Sequence, residues 1–243
     1  MTVLVSMPYY QCAEWVEKAV RSVLAQTERD LCVAVIADGD DPPLSGIRDS
    51  RLVVYRLPQN RGAYFAQAVA LGANPHEWYA PVATDDWVDP DHIEKLAEYG
   101  TDVATGAVWF HLDGRRTKIM RKLYEVGMYR TARMRSVGGY NPAERLGQDS
   151  LTLKVMRLVA PMPSTTVPTY HRYSRIGSLC TDPATKKGSP ARTAMRERNR
   201  AIVAKCEQLG TAEGIRAYRE SIIPPSIRDE LGEHVERLRE HLA

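Results

Sequence analysis

Four short apolar runs, each stopped by proline or by charged residues, constrain the fold of this chain more than any other feature of its sequence. Residues 2–7 (TVLVSM) stop at Pro8, residues 31–37 (LCVAVIA) at Asp38-Gly39, residues 51–57 (RLVVYRL) at Pro58, and residues 78–83 at the acidic stretch TDDWVDPD. Helical patterns lie between them. Trp15, Ala19 and Val23, with Val16, Val20 and Leu24, recur at four-residue spacing after the first run. The alanine-rich GAYFAQAVALGA follows the third run, and HIEKLAEYG, closed by Gly100, follows the fourth. Strands apolar on both faces that alternate with helices predict a parallel α/β sheet covered on both sides. Ligands of such sheets bind beyond the carboxyl ends of the strands. Those ends carry Pro8-Tyr9, Asp38-Gly39-Asp40-Asp41, Asn60-Arg61-Gly62 and Asp85-Asp86, so charged side chains converge on one edge.

From Gly106 the pattern changes. GAVWFHL, a turn at Asp113-Gly114 and RRTKIMRKL predict an antiparallel ribbon with a basic face. Residues 128–139 (MYRTARMRSVGG) predict a short helix ended by glycine, and Ser150 to Leu158 a second that starts just after Gln148-Asp149. The proline-punctuated stretch from Pro161 to Leu179 reads as strand plus loop. The chain after Pro190 reads as helix with one break at Pro224-Pro225. The division that follows is a catalytic domain over 1–189, with a ligand-binding half (1–105) and a second half (106–189), then a helical extension over 190–243. Val235, Leu238 and Leu242 in that extension can pack on the domain or join two copies as a homodimer.

Composition excludes several classes. With 243 residues, 44% hydrophobic and 26% charged, the chain suits a globular protein with a sizeable core, and a net charge of +3 from interspersed residues does not argue for nucleic acid. Cys12, Cys32, Cys180 and Cys206 form no CxxC pair, which weighs against a zinc site and a disulfide framework and predicts reduced thiols in a cytoplasmic protein. No stretch approaches the roughly 18 apolar residues of a membrane span, and the first residues carry no basic leader. Abundant arginine and alanine with only two phenylalanines fit a GC-rich bacterial or phage genome.

Asp85 and Asp86 admit two readings. Mg²⁺ and Mn²⁺ prefer hard carboxylate oxygens and bind through one or two aspartates plus substrate phosphates. Aspartate before a helix is also a common N-cap, and Asp89 and Asp91, flanking Pro90, fit that role better still.

The order of these features resembles family-2-type glycosyltransferases of the GT-A fold. The resemblance rests on Pro8-Tyr9 after the first strand, on Ser22-Val23-Leu24-Ala25-Gln26-Thr27 closing the first helix, on Asp38-Gly39, on Asn60-Arg61-Gly62 before a helix, and on Asp85-Asp86 before Trp87. It covers residues 3–98 closely and 124–179 loosely. It implies an α/β GT-A-like fold, with a mostly parallel sheet flanked by helices and a Rossmann-like nucleotide half. It also implies a nucleoside diphosphate sugar donor, a UDP- or GDP-sugar, and a Mn²⁺ or Mg²⁺ cofactor.

The roles it implies are as follows. Pro8 and Tyr9 border the nucleoside, Asp38 hydrogen-bonds the base, Arg61 approaches the base or diphosphate, and Gly62 permits close backbone approach. Asp85 and Asp86 hold the metal, with Asp85 also near the donor. Asp149, in Gly147-Gln148-Asp149-Ser150 downstream of Gly138-Gly139-Tyr140-Asn141, is the general base of an inverting transfer. His171 supplies a further metal ligand, and Arg172 and Arg175 neutralise phosphate. Three positions depart from the family pattern: Ala83 stands where the first carboxylate of the acidic motif falls, Ala68 where an asparagine is usual, and Gln148 where the glutamate beside the base falls. His76, His92, His111, His234 and His241 suggest no constellation. The acceptor hydroxyl is not legible; a glycan, a lipid-linked sugar, a protein side chain and a modified nucleic acid base all remain open. A nucleotidyltransferase would need a glycine-rich basic loop after the first strand, which SMPYYQCAEW lacks. A catalytically silent nucleotide-sugar or nucleic-acid binding module is the remaining alternative.

Overall fold

The computed structural model describes residues 1–112, 115–120 and 126–242. The strands β1 (Val3–Tyr9), β2 (Leu31–Asp38), β3 (Leu52–Leu57) and β4 (Trp78–Pro81) lie in the order β3-β2-β1-β4, all parallel. They form where the apolar runs predict, and Val3, Leu4, Val5 and Val33 to Ile36 are fully buried because helices cover both faces. Helix α1 (Ala13–Leu24) buries Val16, Ala19, Val20, Val23 and Leu24 as one stripe; full burial of each valine or leucine contributes about 1.5–3 kcal/mol. Helices α2 (Ala63–Ala73) and α3 (His92–Ala97) follow β3 and the acidic stretch.

Beyond β4 the pairing becomes mixed. β8 (Gly127–Arg130) runs antiparallel to β4 and to β6 (Val103–Leu112), and β6 pairs antiparallel with β7 (Arg115–Met120) and parallel with β9 (Ser164–Ser174). The two-residue strand β5 (Trp87–Val88) closes the edge against β9. The predicted ribbon is therefore present, while its turn at Asp113-Gly114 lies outside the described residues. The helix predicted over 128–139 is a strand followed by the shorter α4 (Thr131–Ser136). Met128 and Tyr129 are 1% and 2% exposed inside the sheet, and tertiary burial overrides the local helical pattern there.

Helix α5 (Gln148–Arg157) starts two residues earlier than expected. The helices α6 (Pro190–Gln208), α7 (Thr211–Ile222) and α8 (Pro225–Leu242) have a second break, at Gly210. Ser189 caps α6 by accepting from the Arg192 N–H at 3.2 Å, with Pro190 at its first turn. The extension shares the main core: Ile215, Tyr218, Ile222, Leu231, Leu238 and Leu242 cluster with Ile36, Tyr55 and Phe65. The Tyr55 hydroxyl meets His234 Nδ1 at 2.8 Å. Most of the apolar residues of α8 thus pack within the chain: Leu231, Leu238 and Leu242 join the main core, while Val235 is only half-buried.

Candidate active site

The carboxyl ends of the parallel strands meet at one edge, and two connected clusters form there. In the first, Asp38 ends β2 at 1% exposure, and its two oxygens accept the backbone N–H groups of Arg61 (2.6 Å) and Gly62 (2.7 Å). Burial pushes the Asp38 carboxyl above the usual carboxylate range, opposed by these two bonds. Asp38 therefore fastens the loop before α2 and is withdrawn from the open edge. Gly39 makes the junction possible. It has φ +77°, and a Cβ there would sit 2.6 Å from the Gln59 carbonyl carbon, a backbone atom that cannot move aside. Gly39→Ala is expected to cost about 2–4 kcal/mol, seen as a lowered Tm.

Arg61 is placed differently from the expectation. Its guanidinium pairs with Glu230 of α8 at 2.7 Å and lies 5.0 Å over the Phe65 ring, so it faces the C-terminal helix. The cation at the loop before α2 is instead Arg145, unanticipated from sequence. Its Nη1 donates to Asn60 Oδ1 at 2.6 Å, and its side chain lies against the Cα of Gly62. Two residues past Gly62, the Tyr64 hydroxyl donates to Asp149 Oδ1 at 2.9 Å and accepts the Gly147 N–H at 3.1 Å. Asp149 sits half-buried in the first turn of α5, with Oδ1 also accepting its neighbour's N–H from Ser150 at 2.7 Å. Gly147, at the N-cap, holds φ +72° with Met195 packed where a Cβ would be. Gln148 is buried and accepts from the Asn141 N–H at 3.3 Å, turning its side chain into the fold.

The second cluster surrounds the acidic pair. Asp86 is 6% exposed, with Oδ2 accepting from the Tyr170 hydroxyl and Oδ1 from the Tyr173 N–H, both at 2.8 Å. Burial, then the adjacent Asp85, pushes its carboxyl well above the usual range. The Tyr170 hydroxyl also accepts the Ala83 N–H at 3.1 Å, at the position lacking a carboxylate. Asp85 is partly exposed, and Arg175 Nε donates to its Oδ2 at 2.8 Å. Arg172 lies near enough to Asp86 to act on its charge and donates to the Cys180 thiol at 2.9 Å. Pro8 contributes its carbonyl, which accepts from Thr84 Oγ1 at 2.8 Å. Tyr9 is buried, its hydroxyl pushed up to about 12 by burial and by Asp40, and the next residue, Tyr10, is 41% exposed.

His171 does not join the acidic pair. Its Nε2 bonds Asp89 Oδ1 and its Nδ1 bonds His111 Nε2, each at 2.9 Å, and its ring stacks on Trp87 at 5.2 Å. Both nitrogens are engaged, so the arrangement does not make it a metal ligand. Asp89 is correspondingly the partner of His171 and not a cap, and Asp91 occupies the N-cap position of α3 without a side-chain bond. His111 thus belongs to a His-His-Asp chain whose two imidazoles are buried and whose carboxylate, Asp89, is partly exposed.

These contacts test the fit of a divalent cation. Among the described residues, no three potential ligands cluster. Asp86 spends both oxygens on protein donors, and Asp85 keeps Oδ1 clear of them. The residues fit a cation carried by a diphosphate and held to the protein by Asp85.

The sequence from residue 4 to 155 matches the family model described as glycosyl transferase family 2. The chain belongs to that family. The glycosyltransferase GlyA of Streptococcus pneumoniae is 26% identical over 114 residues, covering 43% of this chain and 16% of that protein. The succinoglycan biosynthesis protein ExoO of Rhizobium meliloti is 31% identical over 93 residues, covering 37% of this chain and 27% of that one. The chain thus spans about a quarter or less of the length of these curated relatives. In fold it is similar to residues 1–349 of S. aureus TarS in complex with UDP-GlcNAc, with a TM-score of 0.63 at 19% identity, covering 73% of this chain and 60% of that one. The complex of the same protein with UDP gives 0.62 at 14% identity over 99% and 89%. The fold is therefore GT-A, and residues 190–242 fall within that second superposition. Among the described residues, no helix is long and apolar enough to cross a membrane.

Proposed function

We propose that this family member transfers a sugar from a nucleoside diphosphate sugar to an acceptor hydroxyl with inversion, in the cytoplasm, using Asp149 as general base. The observation that carries the reading is the Tyr64–Asp149 bond. It ties the base to the same helix whose N-terminal loop Asp38 fastens, so base and donor loop share one frame. Asp149 takes the proton of the hydroxyl as its oxygen attacks the anomeric carbon. The bond from that carbon to the diphosphate oxygen breaks, and its electron pair leaves with the nucleotide. Arg172 and Arg175 neutralise charge on the leaving diphosphate, Arg175 by exchanging Asp85 for phosphate. Asp85 would hold a Mn²⁺ or Mg²⁺ ion brought with the donor, which would supply positive charge against the diphosphate. Pro8, Tyr10, Gly62 and Arg145 border the nucleotide.

S. aureus TarS was crystallised with UDP-GlcNAc and with UDP, which supports a UDP-sugar here over a GDP-sugar. Calorimetric titration of UDP and GDP with and without Mn²⁺ tests the donor assignment. Tighter binding of UDP supports it, and binding of neither contradicts it. A second reading, a nucleotide-sugar binding module without turnover, is favoured by Ala83 and by the closure of Asp85 and Asp86 onto protein donors.

Tyr64 is a positioning residue under this reading. Tyr64→Phe keeps the ring stacked on Tyr140, whose centroid is 5.9 Å away, and removes only the hydroxyl that orients Asp149. It is expected to lower kcat by about tenfold, the scale of one lost hydrogen bond to a charged group, with donor KM unchanged. An unchanged kcat would show that Asp149 needs no such support.

A further inference from the structure

A groove of about 600 Å³ lies away from the strand edge, between α2, the turn after α4 and the helices α7 and α8. Its floor is apolar and low. Leu71, Ile222, Leu231 and Val235 line it, and Ala68, Gly72 and Gly232 add little or no side chain, leaving a slot that suits an extended alkyl chain. Its rim carries Arg135, Arg216, Arg219 and Arg228 against one carboxylate, Glu220. Arg135 is a wall of the groove, since its Nη2 donates to the Leu71 and Asn74 carbonyls at 2.8 Å each.

The other three arginines are exposed and lack the carboxylate partner that several arginines of the chain have. Arg21 pairs with Glu17, Arg130 with Glu77 and Asp102, Arg198 with Glu144 and Arg239 with Glu236. Arg216, Arg219 and Arg228 form no ion pair among the described residues, although Glu220 is in the same groove. Arginines gathered beside a single carboxylate leave a net positive rim, and an anion seated among them relieves the repulsion. A second copy of the chain meeting this face isologously would oppose arginine to arginine, which disfavours that occupant.

We propose that the groove binds a phosphate-bearing lipid, with the alkyl chain on the Leu71–Leu231–Val235 floor and the phosphate among Arg216, Arg219 and Arg228, which holds the protein on an anionic membrane surface. The site uses the last turns of α2, whereas Tyr64 in its first turn holds Asp149. It is therefore separate from the Tyr64–Asp149 bond, although Tyr140, which stacks on Tyr64, also lines the groove.

The test uses the full chain. Calorimetry compares monomeric dihexanoylphosphatidylglycerol with glycerol phosphate and inorganic phosphate, for the wild type, for Arg216→Glu/Arg219→Glu, and for Ala68→Trp, which fills the floor. UDP binding by each variant reports that it is folded. The lipid is expected to bind at least about tenfold more tightly than glycerol phosphate, because the buried methylenes add affinity. Either variant is expected to weaken lipid binding by about tenfold or more. Flotation with phosphatidylcholine vesicles should require added phosphatidylglycerol. No lipid binding, equal binding of lipid and inorganic phosphate, lipid binding unchanged in both folded variants, or a wild-type dimer dissociated by Ala68→Trp would overturn the proposal.

Discussion

Asp149→Asn is expected to lower sugar transfer by about 10²–10⁴-fold, the usual contribution of a general base, while leaving donor affinity unchanged. The separation follows from placement. Asp149 lies on α5 and reaches the donor loop only through Tyr64, whose hydroxyl spans 85 residues of sequence to hold it. Asparagine keeps the volume and an oxygen for the Tyr64 hydroxyl and the Ser150 N–H, so the first turn of α5 keeps its shape. What is lost is the capacity to take a proton. Steady-state kcat, read beside a donor titration, checks this. A variant with wild-type kcat would remove Asp149 as the base, and one that loses donor binding as well would make the residue structural.

Asp38→Asn is expected to act in the opposite sense, on the donor and not on the chemistry. The two carboxylate oxygens accept two backbone N–H groups at 2.6 and 2.7 Å, and an amide can satisfy only one of them while presenting its own N–H₂ to the other. Leaving one buried donor unpaired costs about 1–3 kcal/mol. Part of that is returned, because burial already disfavours the charge on Asp38. With the loop of Asn60 to Gly62 released, UDP affinity is expected to fall by about tenfold with a lower Tm, measured by calorimetry and thermal unfolding. Unchanged affinity and unchanged Tm would show that the loop is held by other contacts.

The parallel half of the sheet was legible because its strands are buried on both faces and so read as unbroken apolar runs. β8 and β5 were not, because four residues and two residues are too short to show a period, and what makes them strands is the neighbour they pair with. The order of motifs singled out Asp38, Asp85 and Asp86, which lie at or after the carboxyl ends of β2 and β4, and Asp149, which bonds Tyr64 of α2. Side-chain direction was the illegible part. Arg61 turns to Glu230 and His171 to Asp89 and His111, and each partner is remote in sequence. Tyr64, Arg145 and Tyr170 escaped notice for the same reason, since their decisive bonds join positions 84 or 85 residues apart. Tyr64 left one faint signal, a polar aromatic in the first turn of an otherwise alanine-rich helix. Arg145 left none.

Release of nucleotide from a panel of UDP- and GDP-sugars, with Mn²⁺ and with a chelator, tests the central claim most directly. The account predicts turnover with at least one UDP-sugar, reduced by the chelator and abolished in Asp149→Asn. Nucleotide binding without release from any donor would contradict it and leave a binding module in place of an enzyme.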